Sequence, residues 1–209
     1  MYMLESTELW LCNNAIMTIP SKIADLRSLR ILSLTGNGLE TIPPEICLLE
    51  QLRILYLRRN KLSTLPDLFN RLRNLVELDL AQNVFEDVPS ILLSLSQLVS
   101  LNLSKNLLSD LPAGFSSMRS LSYLDLEHNP IKRAPIVLGK MHWLDVHGCN
   151  IPVEPLASFR FKVTKEDEEA LEGFLRVKAS NRITAKLRRR KSKHSSKEIL
   201  SSSSSSAVL

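Results

Sequence analysis

The residues of this sequence that could support metal or nucleophilic chemistry are few, and their spacing does not match a known type of site. His147 and Cys149 stand two residues apart, as metal ligands can, but no second Cys/His pair follows at the spacing of a zinc site. Gly36 and Gly38 are not followed by the Lys-Ser/Thr of a phosphate-binding loop, and the signatures Gly-x-Ser-x-Gly and His-Glu-x-x-His do not occur. The sequence places no residue beside Cys12 that could act as a base to activate its thiol. We therefore predict a protein that is not an enzyme and that uses no cofactor and no metal.

The elements that position side chains in this chain come from a unit that recurs every 23 residues. In each copy a proline stands six residues after an asparagine. The asparagines are Asn14, Asn37, Asn60, Asn83, Asn106 and Asn129, and the prolines are Pro20, Pro43, Pro66, Pro89, Pro112 and Pro135. Apolar residues fill the other fixed positions of the template L-x-x-L-x-L-x-x-N-x-L-x-x-I-P-x-x-I-x-x-L. Two residue types held in register over six copies indicate a repeat array.

The copy that begins at Leu29 shows why this template favours a solenoid. Leu32 and Leu34 alternate with outward residues, which predicts a short strand with one buried side. Asn37 follows where the chain must turn, and its side chain can donate and accept, so stacked asparagines are expected to satisfy turn amides as a ladder. Pro43 fixes φ and starts a return segment that reads as a short helix or 3₁₀ turn. Because no coil buries its apolar face alone, stacked coils must share one core.

This pattern resembles the leucine-rich repeat family over roughly residues 6–151. The resemblance implies an α/β solenoid: a horseshoe with a concave parallel β-sheet, short helical or 3₁₀ convex segments and a C-terminal capping helix. A 23-residue unit with Ile/Leu-Pro and no clustered cysteines is similar to the intracellular class seen in Ras suppressor protein and in Scribble-type polarity proteins. That class implies a non-catalytic adaptor, often linked to small GTPase signalling. This sequence departs from it in having a short array and no PDZ domain after the repeats.

Three segments are predicted along the chain. Residues 1–151 form about six full coils and a partial seventh, in which Cys149 takes the asparagine position. Residues 152–180 form a cap with a helix over Thr164–Lys178, which is expected to cover the last coil, or alternatively to dock a partner. Residues 181–209 form a basic, Ser-rich tail that cannot bury enough apolar surface to order itself.

Cysteine usage and the amino terminus bear on the compartment. The three cysteines are widely spaced, without the clustered caps of extracellular repeat proteins, and no basic segment followed by an apolar one marks the start for secretion. We therefore expect a reduced, intracellular compartment, cytoplasmic and alternatively nuclear, and a monomer.

The positive charge of the chain belongs to its tail. Residues 1–160 hold 15 Lys and Arg against 16 Asp and Glu, whereas residues 161–209 hold 12 against 6. Arg188, Arg189, Arg190 and Lys191 form a basic run that could serve nuclear import or bind nucleic acid or an anionic membrane. The run lacks the aromatic residues of specific single-strand recognition, and an inert solvated tail is the other interpretation.

The outward residues of the strands, with the two residues after each strand's second leucine, make up what we call the concave face. We expect no requirement of the fold there beyond solubility, so the aromatic side chains on it should have another role. The acidic side chains that cluster among them could take part in binding or could merely keep the sheet soluble. Tyrosine and tryptophan are over-represented as interface anchors. The predicted partner-binding residues are Trp10, Tyr56, Arg58, Glu77, Asp79, Tyr123, Asp125, Glu127, Trp143 and Asp145. The sequence thus predicts a protein partner, for which the resemblance suggests a small GTPase or another signalling protein.

Overall fold

The sheet of this protein is built from short strands that follow one another in chain order. The computed structural model describes residues 6–132, 143–145 and 149. Its strands are three residues long and form one parallel sheet. They are β1 (Glu8–Trp10), β2 (Ile31–Ser33), β3 (Ile54–Tyr56), β4 (Glu77–Asp79), β5 (Ser100–Asn102), β6 (Tyr123–Asp125) and β7 (Trp143–Asp145). The predicted parallel sheet, with a seventh strand from the partial coil, is confirmed.

The register of the sheet repeats the period of the sequence. Leu55 pairs with Leu78 and Leu78 with Leu101, so each strand residue lies beside the residue 23 positions later. Between β6 and β7 the step shortens to 20, because Asp125 pairs with Asp145. Each template position therefore becomes a straight column across the sheet, and residues far apart in sequence become neighbours.

The return segments are 3₁₀ turns, one of the two predicted conformations. They are η1 (Ser21–Asp25), η2 (Pro44–Leu48), η3 (Phe69–Arg71), η4 (Ser90–Ser94) and η5 (Ala113–Ser117). Before each turn the carbonyl of a repeated proline accepts the first i→i+3 hydrogen bond, as from Ile46 N to Pro43 O at 3.1 Å. Pro20, Pro43 and Pro112 hold the chain extended there. The turn uses the carbonyl of the residue at this position and not its backbone N–H, so a proline, which has no N–H, is suited to this place in the template.

The core lies between the sheet and the 3₁₀ turns. Most of its leucines are fully buried, including Leu32, Leu55 and Leu78 on successive strands. Burial of one such side chain contributes about 1.5–3 kcal/mol, and the stack repeats it in every coil. Phe69, Phe85 and Phe115 take apolar template positions and are the largest fully buried side chains.

The asparagine ladder is present as predicted. Asn83 donates through Nδ2 to Leu80 O of its own coil at 2.9 Å and to Leu57 O of the preceding coil at 3.1 Å. Its Oδ1 accepts from Leu62 N at 3.0 Å. The same three bonds occur at Asn37, Asn60, Asn106 and Asn129.

In the seventh coil, Cys149 Sγ donates to Leu126 O at 3.2 Å, which is the bond an asparagine would make to the preceding coil. The interpretation of Cys149 as a ladder residue is therefore confirmed. Its sequence neighbour His147 lies outside the described residues.

A residue with left-handed backbone lies three residues after each of the strands β1–β6, a feature that the sequence interpretation missed. These residues are Asn13, Gly36, Arg59, Gln82, Lys105 and His128, with φ between 55° and 69°. The amides of the first five donate to the next coil, as from Arg59 N to Ala81 O at 2.9 Å and from Lys105 N to Glu127 O at 2.7 Å. These bonds offset the cost of the left-handed conformation in non-glycine residues. Asn13 and Gly36 were the available signal, since both residue types adopt positive φ readily.

Some predictions fall outside the described residues: the helix at Thr164–Lys178, the cap over 152–180 and the tail over 181–209. They stay predictions, as do the segment boundaries. Among the described residues, no helix is long and apolar enough to span a membrane.

Candidate functional site

The concave face divides into two halves that differ in chemistry. The aromatic half comprises the outward residues of β1–β3 with the residues that follow them, and the acidic half comprises those of β4–β6. At the middle outward position, Trp10, Ser33 and Tyr56 occupy the aromatic half, whereas Asp79, Asn102 and Asp125 occupy the acidic half.

Trp10 and Tyr56 contact each other although they lie on β1 and β3. Their ring centroids are 6.1 Å apart with an interplanar angle of 42°, a tilted pair within the favourable range for aromatic contacts. Ser33, which lies between them on β2, is only 1% exposed. The two half-buried rings thus cover the middle strand. The sequence placed both residues on this face but did not predict the contact.

The polar tips of both rings are bonded within the protein. Trp10 Nε1 donates to Glu8 Oε2 at 3.0 Å, and the Tyr56 hydroxyl shares a hydrogen bond with Glu77. Burial raises the pKa of Tyr56 well above its ordinary value, and the charges of Glu77 and Asp79 raise it further. Tyr56 is therefore a neutral donor at physiological pH. Glu8, which was not among the predicted binding residues, is part of this arrangement.

A short polar network lies beside the ring pair. Cys12 Sγ and Ser33 Oγ are 2.9 Å apart, and Ser33 Oγ is 3.4 Å from Thr35 Oγ1. The network gives buried Ser33 its partners, so Ser33 needs no ligand to satisfy it. Cys12 is half-buried in this network, and nothing in its surroundings indicates a nucleophile.

Arg58 follows β3 and extends toward the next coil. Its Nε donates to Gln82 Oε1 at 3.0 Å, which holds the guanidinium beside the left-handed turn after β4. Arg58 is half-buried, so its position is set by the fold, while its charge stays at the surface.

In the acidic half, the middle outward residues bind their own backbone. Asp79 Oδ1 accepts from Ala81 N at 3.0 Å, and Asp125 Oδ1 accepts from Glu127 N at 3.0 Å. Asn102 Oδ1 accepts in the same way from Ser104 N at 2.9 Å. A short side-chain oxygen reaches the amide two residues ahead, as in an Asx turn.

The expectation that outward residues carry no requirement of the fold is therefore wrong at Asp79 and Asp125. Burial points the same way, since Glu77 and Asp125 are each only 8% exposed. These acids help to build the ends of the strands. Their predicted role in binding stays a prediction, now assigned to residues that also have a structural role.

The remaining predicted residues continue the columns of the acidic half. Tyr123 is half-buried on β6, and Glu127 Oε1 lies 3.0 Å from His128 Nε2. Trp143 and Asp145 lie on β7, in register with Tyr123 and Asp125. The basic tail residues Arg188, Arg189, Arg190 and Lys191 lie outside the described residues, and the structure does not relate them to the concave face.

A shallow depression of about 510 Å³ lies on another surface, where η3 and η4 lead toward the sheet. It is lined by Asn70, Arg71, Arg73, Asn74, Ser94, Ser96 and Gln97, all of them polar and exposed. It has no apolar anchor. The concave face, where aromatic and charged side chains meet, is the better candidate for recognition of a protein.

Comparison with known proteins agrees with this architecture. The family pattern described as leucine rich repeat matches residues 27–85 and 87–131. A solved leucine-rich repeat protein of Leptospira interrogans is similar, with 30% identity and a TM-score of 0.59 over 74% of this chain and 47% of that one. The chain thus spans about half the length of that protein. Comparison with curated proteins gave no match. With its family match, ladder and parallel sheet, this chain is a member of the leucine-rich repeat family.

Proposed function

We propose that the chain is a non-catalytic adaptor that binds a protein partner on its concave face. Leucine-rich repeat domains are generally protein-interaction modules, and the family is typically non-catalytic. The observation that carries the proposal is the half-buried Trp10–Tyr56 pair, which lies on the sheet surface and outside the leucine core. Rigid aromatic side chains at a surface are the commonest anchors of protein interfaces.

The finer parts of the proposal rest on the sequence. A role in intracellular signalling, a small GTPase as partner and the intracellular 23-residue class follow from the resemblance to Ras suppressor protein and Scribble-type repeats. A location in the cytoplasm is proposed from the cysteine usage and one in the nucleus from the basic run, and we also propose a monomer. Fold alone does not determine function, so the partner must be identified by experiment.

The test is affinity purification of the full chain with identification of the retained proteins. The variant combines Tyr123→Ser with Asp125→Asn, because Asn102 shows that an amide oxygen can make the bond to the backbone that Asp125 makes. We expect partner capture to fall at least about tenfold, as for the loss of an interface anchor.

A matched control is Glu86→Gln, at an exposed position after Asn83 and away from the strands. It should leave capture unchanged. If the double variant retains a folded array and undiminished capture, the interface lies elsewhere.

The alternative is binding of nucleic acid or an anionic membrane through the basic tail, supported by the excess of Lys and Arg after residue 161. Deletion of residues 180–209 should then abolish salt-dependent binding to RNA or anionic liposomes. Binding that survives the deletion would contradict this alternative.

A further inference from the structure

A continuous chain of contacts crosses the aromatic half of the concave face. Glu8 accepts from Trp10 Nε1, Trp10 lies against Tyr56, and Tyr56 is hydrogen-bonded to Glu77. Because both polar tips are bonded inside the protein, the rings offer a partner mainly their faces. A ligand that binds at this surface must therefore obtain its binding energy from contact with the faces of the rings, since the polar group of each ring is already hydrogen-bonded within the protein.

Three carboxylates lie near the rings. A carboxylate stands at each end of the chain of contacts, and Asp79 lies beside Tyr56 in the register of the sheet. Burial raises the pKa of the Tyr56 hydroxyl, and the charges of Glu77 and Asp79 raise it further. Two cations follow β3 on this part of the face, Arg58 and the exposed Arg59, and Arg58 Nε donates to Gln82 of the next coil.

We infer that the Trp10–Tyr56 pair, with Glu8 and Glu77 at its ends, is a subsite for an arginine or lysine side chain of a protein partner. A cation over an aromatic face is attracted by the ring quadrupole, and carboxylates nearby add Coulomb attraction. The inference rests on the proposed function and deepens it, because it states the chemistry that the partner must present to this half of the site.

Other occupants fit this surface less well. An aliphatic side chain would contact the rings but would desolvate the exposed carboxylate of Glu8 without replacing its water. An acidic side chain would be repelled by Glu8 and Glu77. A cationic side chain gains from the rings and from the carboxylates together, and its aliphatic stem can lie along the ring faces.

The test uses short peptides as probes on the intact chain. Acetyl-Gly-Arg-Gly-amide is titrated beside its norleucine counterpart, and the indole N–H resonance of Trp10, assigned with Trp10→Phe, is followed by NMR. We expect the arginine peptide to bind at least about fivefold more tightly than the norleucine peptide, given the usual strength of cation–π contacts. Equal shifts by both peptides would overturn the inference.

Two variants separate charge from ring. Glu8→Gln keeps an oxygen that can accept from Trp10 Nε1 but removes the charge, and it should reduce the preference for arginine by about twofold to threefold. Tyr56→Leu removes one ring and should also reduce the preference, while the part due to Trp10 and the carboxylates remains. An unchanged preference in both variants would also overturn the inference. Glu8→Gln is an exposed change, so this arm stands even if Tyr56→Leu does not fold.

Failure of this subsite is distinguishable from failure of the proposed function. The peptide titration needs no natural partner, whereas partner capture depends on Tyr123 and Asp125 in the acidic half. Glu86→Gln serves as the control in both experiments. A partner captured through the acidic half, with no arginine preference at Trp10, would leave the adaptor function standing and refute only the cation subsite.

Discussion

The two halves of the concave face use the same backbone position in different ways. In β4–β6 the middle outward residue is Asp79, Asn102 or Asp125, and its side-chain oxygen accepts a hydrogen bond from the amide two residues ahead. In β1 and β3 that position holds Trp10 and Tyr56, whose rings contact each other across the strand between them. In the acidic half, the side chains at this position therefore stabilise the backbone at the strand ends. In the aromatic half, the rings at this position lie on the surface of the sheet.

Variable positions of repeat proteins are often taken as free for binding, but a short carboxylate or amide at such a position can be required by the local backbone. An aromatic residue at the same position cannot make that bond, so its presence needs another reason. In this chain the rings are accordingly the stronger indication of a binding surface. The acids are a weaker indication, because they also have a structural role.

The largest expected effect concerns the junction of the two halves. Asn83 belongs to the coil of β4, the first strand of the acidic half. It donates to Leu57 O and accepts from Leu62 N, both in the coil of β3, the last strand of the aromatic half. Asn83→Ala would leave these groups and Leu80 O without the amide and should lower the free energy of unfolding by about 3 kcal/mol or more. Urea unfolding followed by circular dichroism measures it. In a nearly one-dimensional array the two halves would also unfold less cooperatively.

Two further asparagines calibrate that result. Asn106 makes the equivalent bonds inside the acidic half, so Asn106→Ala should cost a similar amount. Asn14 is exposed and bonds only carbonyls of its own coil, so Asn14→Ala should cost about 1 kcal/mol or less. Equal losses at Asn14 and Asn83 would contradict the bridging role of the ladder.

An intermediate effect is expected where the halves meet on the surface. Tyr56→Phe keeps the ring but removes the hydroxyl bonded to Glu77, and it should destabilise by about 1–2 kcal/mol at neutral pH, since the bond involves a charged group. The pKa of Tyr56 is raised by folding, so its contribution to stability is full below its ordinary value of 10.0 and is lost as pH rises beyond it.

The measurement is urea unfolding of both proteins from about pH 8 to about pH 11, a range that spans tyrosine ionisation. The difference between wild type and Tyr56→Phe should shrink above the ordinary tyrosine pKa. A difference that stays constant over this range would show that the Tyr56 hydroxyl is not held in its neutral form by folding.

The features that the sequence predicted are those imposed once per coil. A ladder asparagine, a return proline and paired leucines must recur wherever coils stack, so their period is visible in one sequence. Cys149 could be placed in the ladder for the same reason, although its residue type differs from the rest.

The features that the sequence did not predict depend on contacts between particular side chains. The rings of Trp10 and Tyr56 meet across an intervening coil because Ser33 is small enough to lie beneath them, and no template position encodes this. The bonds of Asp79 and Asp125 to their own backbone were recognisable in principle, because a short acceptor two residues before a turn amide is a known local pattern. The structure adds this second role to residues predicted for binding.

The smallest expected effect separates the two roles of Asp125. Asp125→Asn keeps an oxygen for Glu127 N, the bond that Asn102 makes natively to Ser104 N, and should change the free energy of unfolding by less than about 0.5 kcal/mol. Asp125→Ala removes the acceptor and should cost about 1–2 kcal/mol, because the amide loses its partner at a position that is nearly buried. Thermal and urea unfolding of the two variants gives both values.

If Asn and Ala were equally tolerated, the bond to the backbone would be dispensable, and the difference between the acidic and aromatic halves would reduce to charge. If Asn were as damaging as Ala, the carboxylate charge itself would stabilise the strand end, and Asp125 would have a structural role that its neighbour Asn102 does not share.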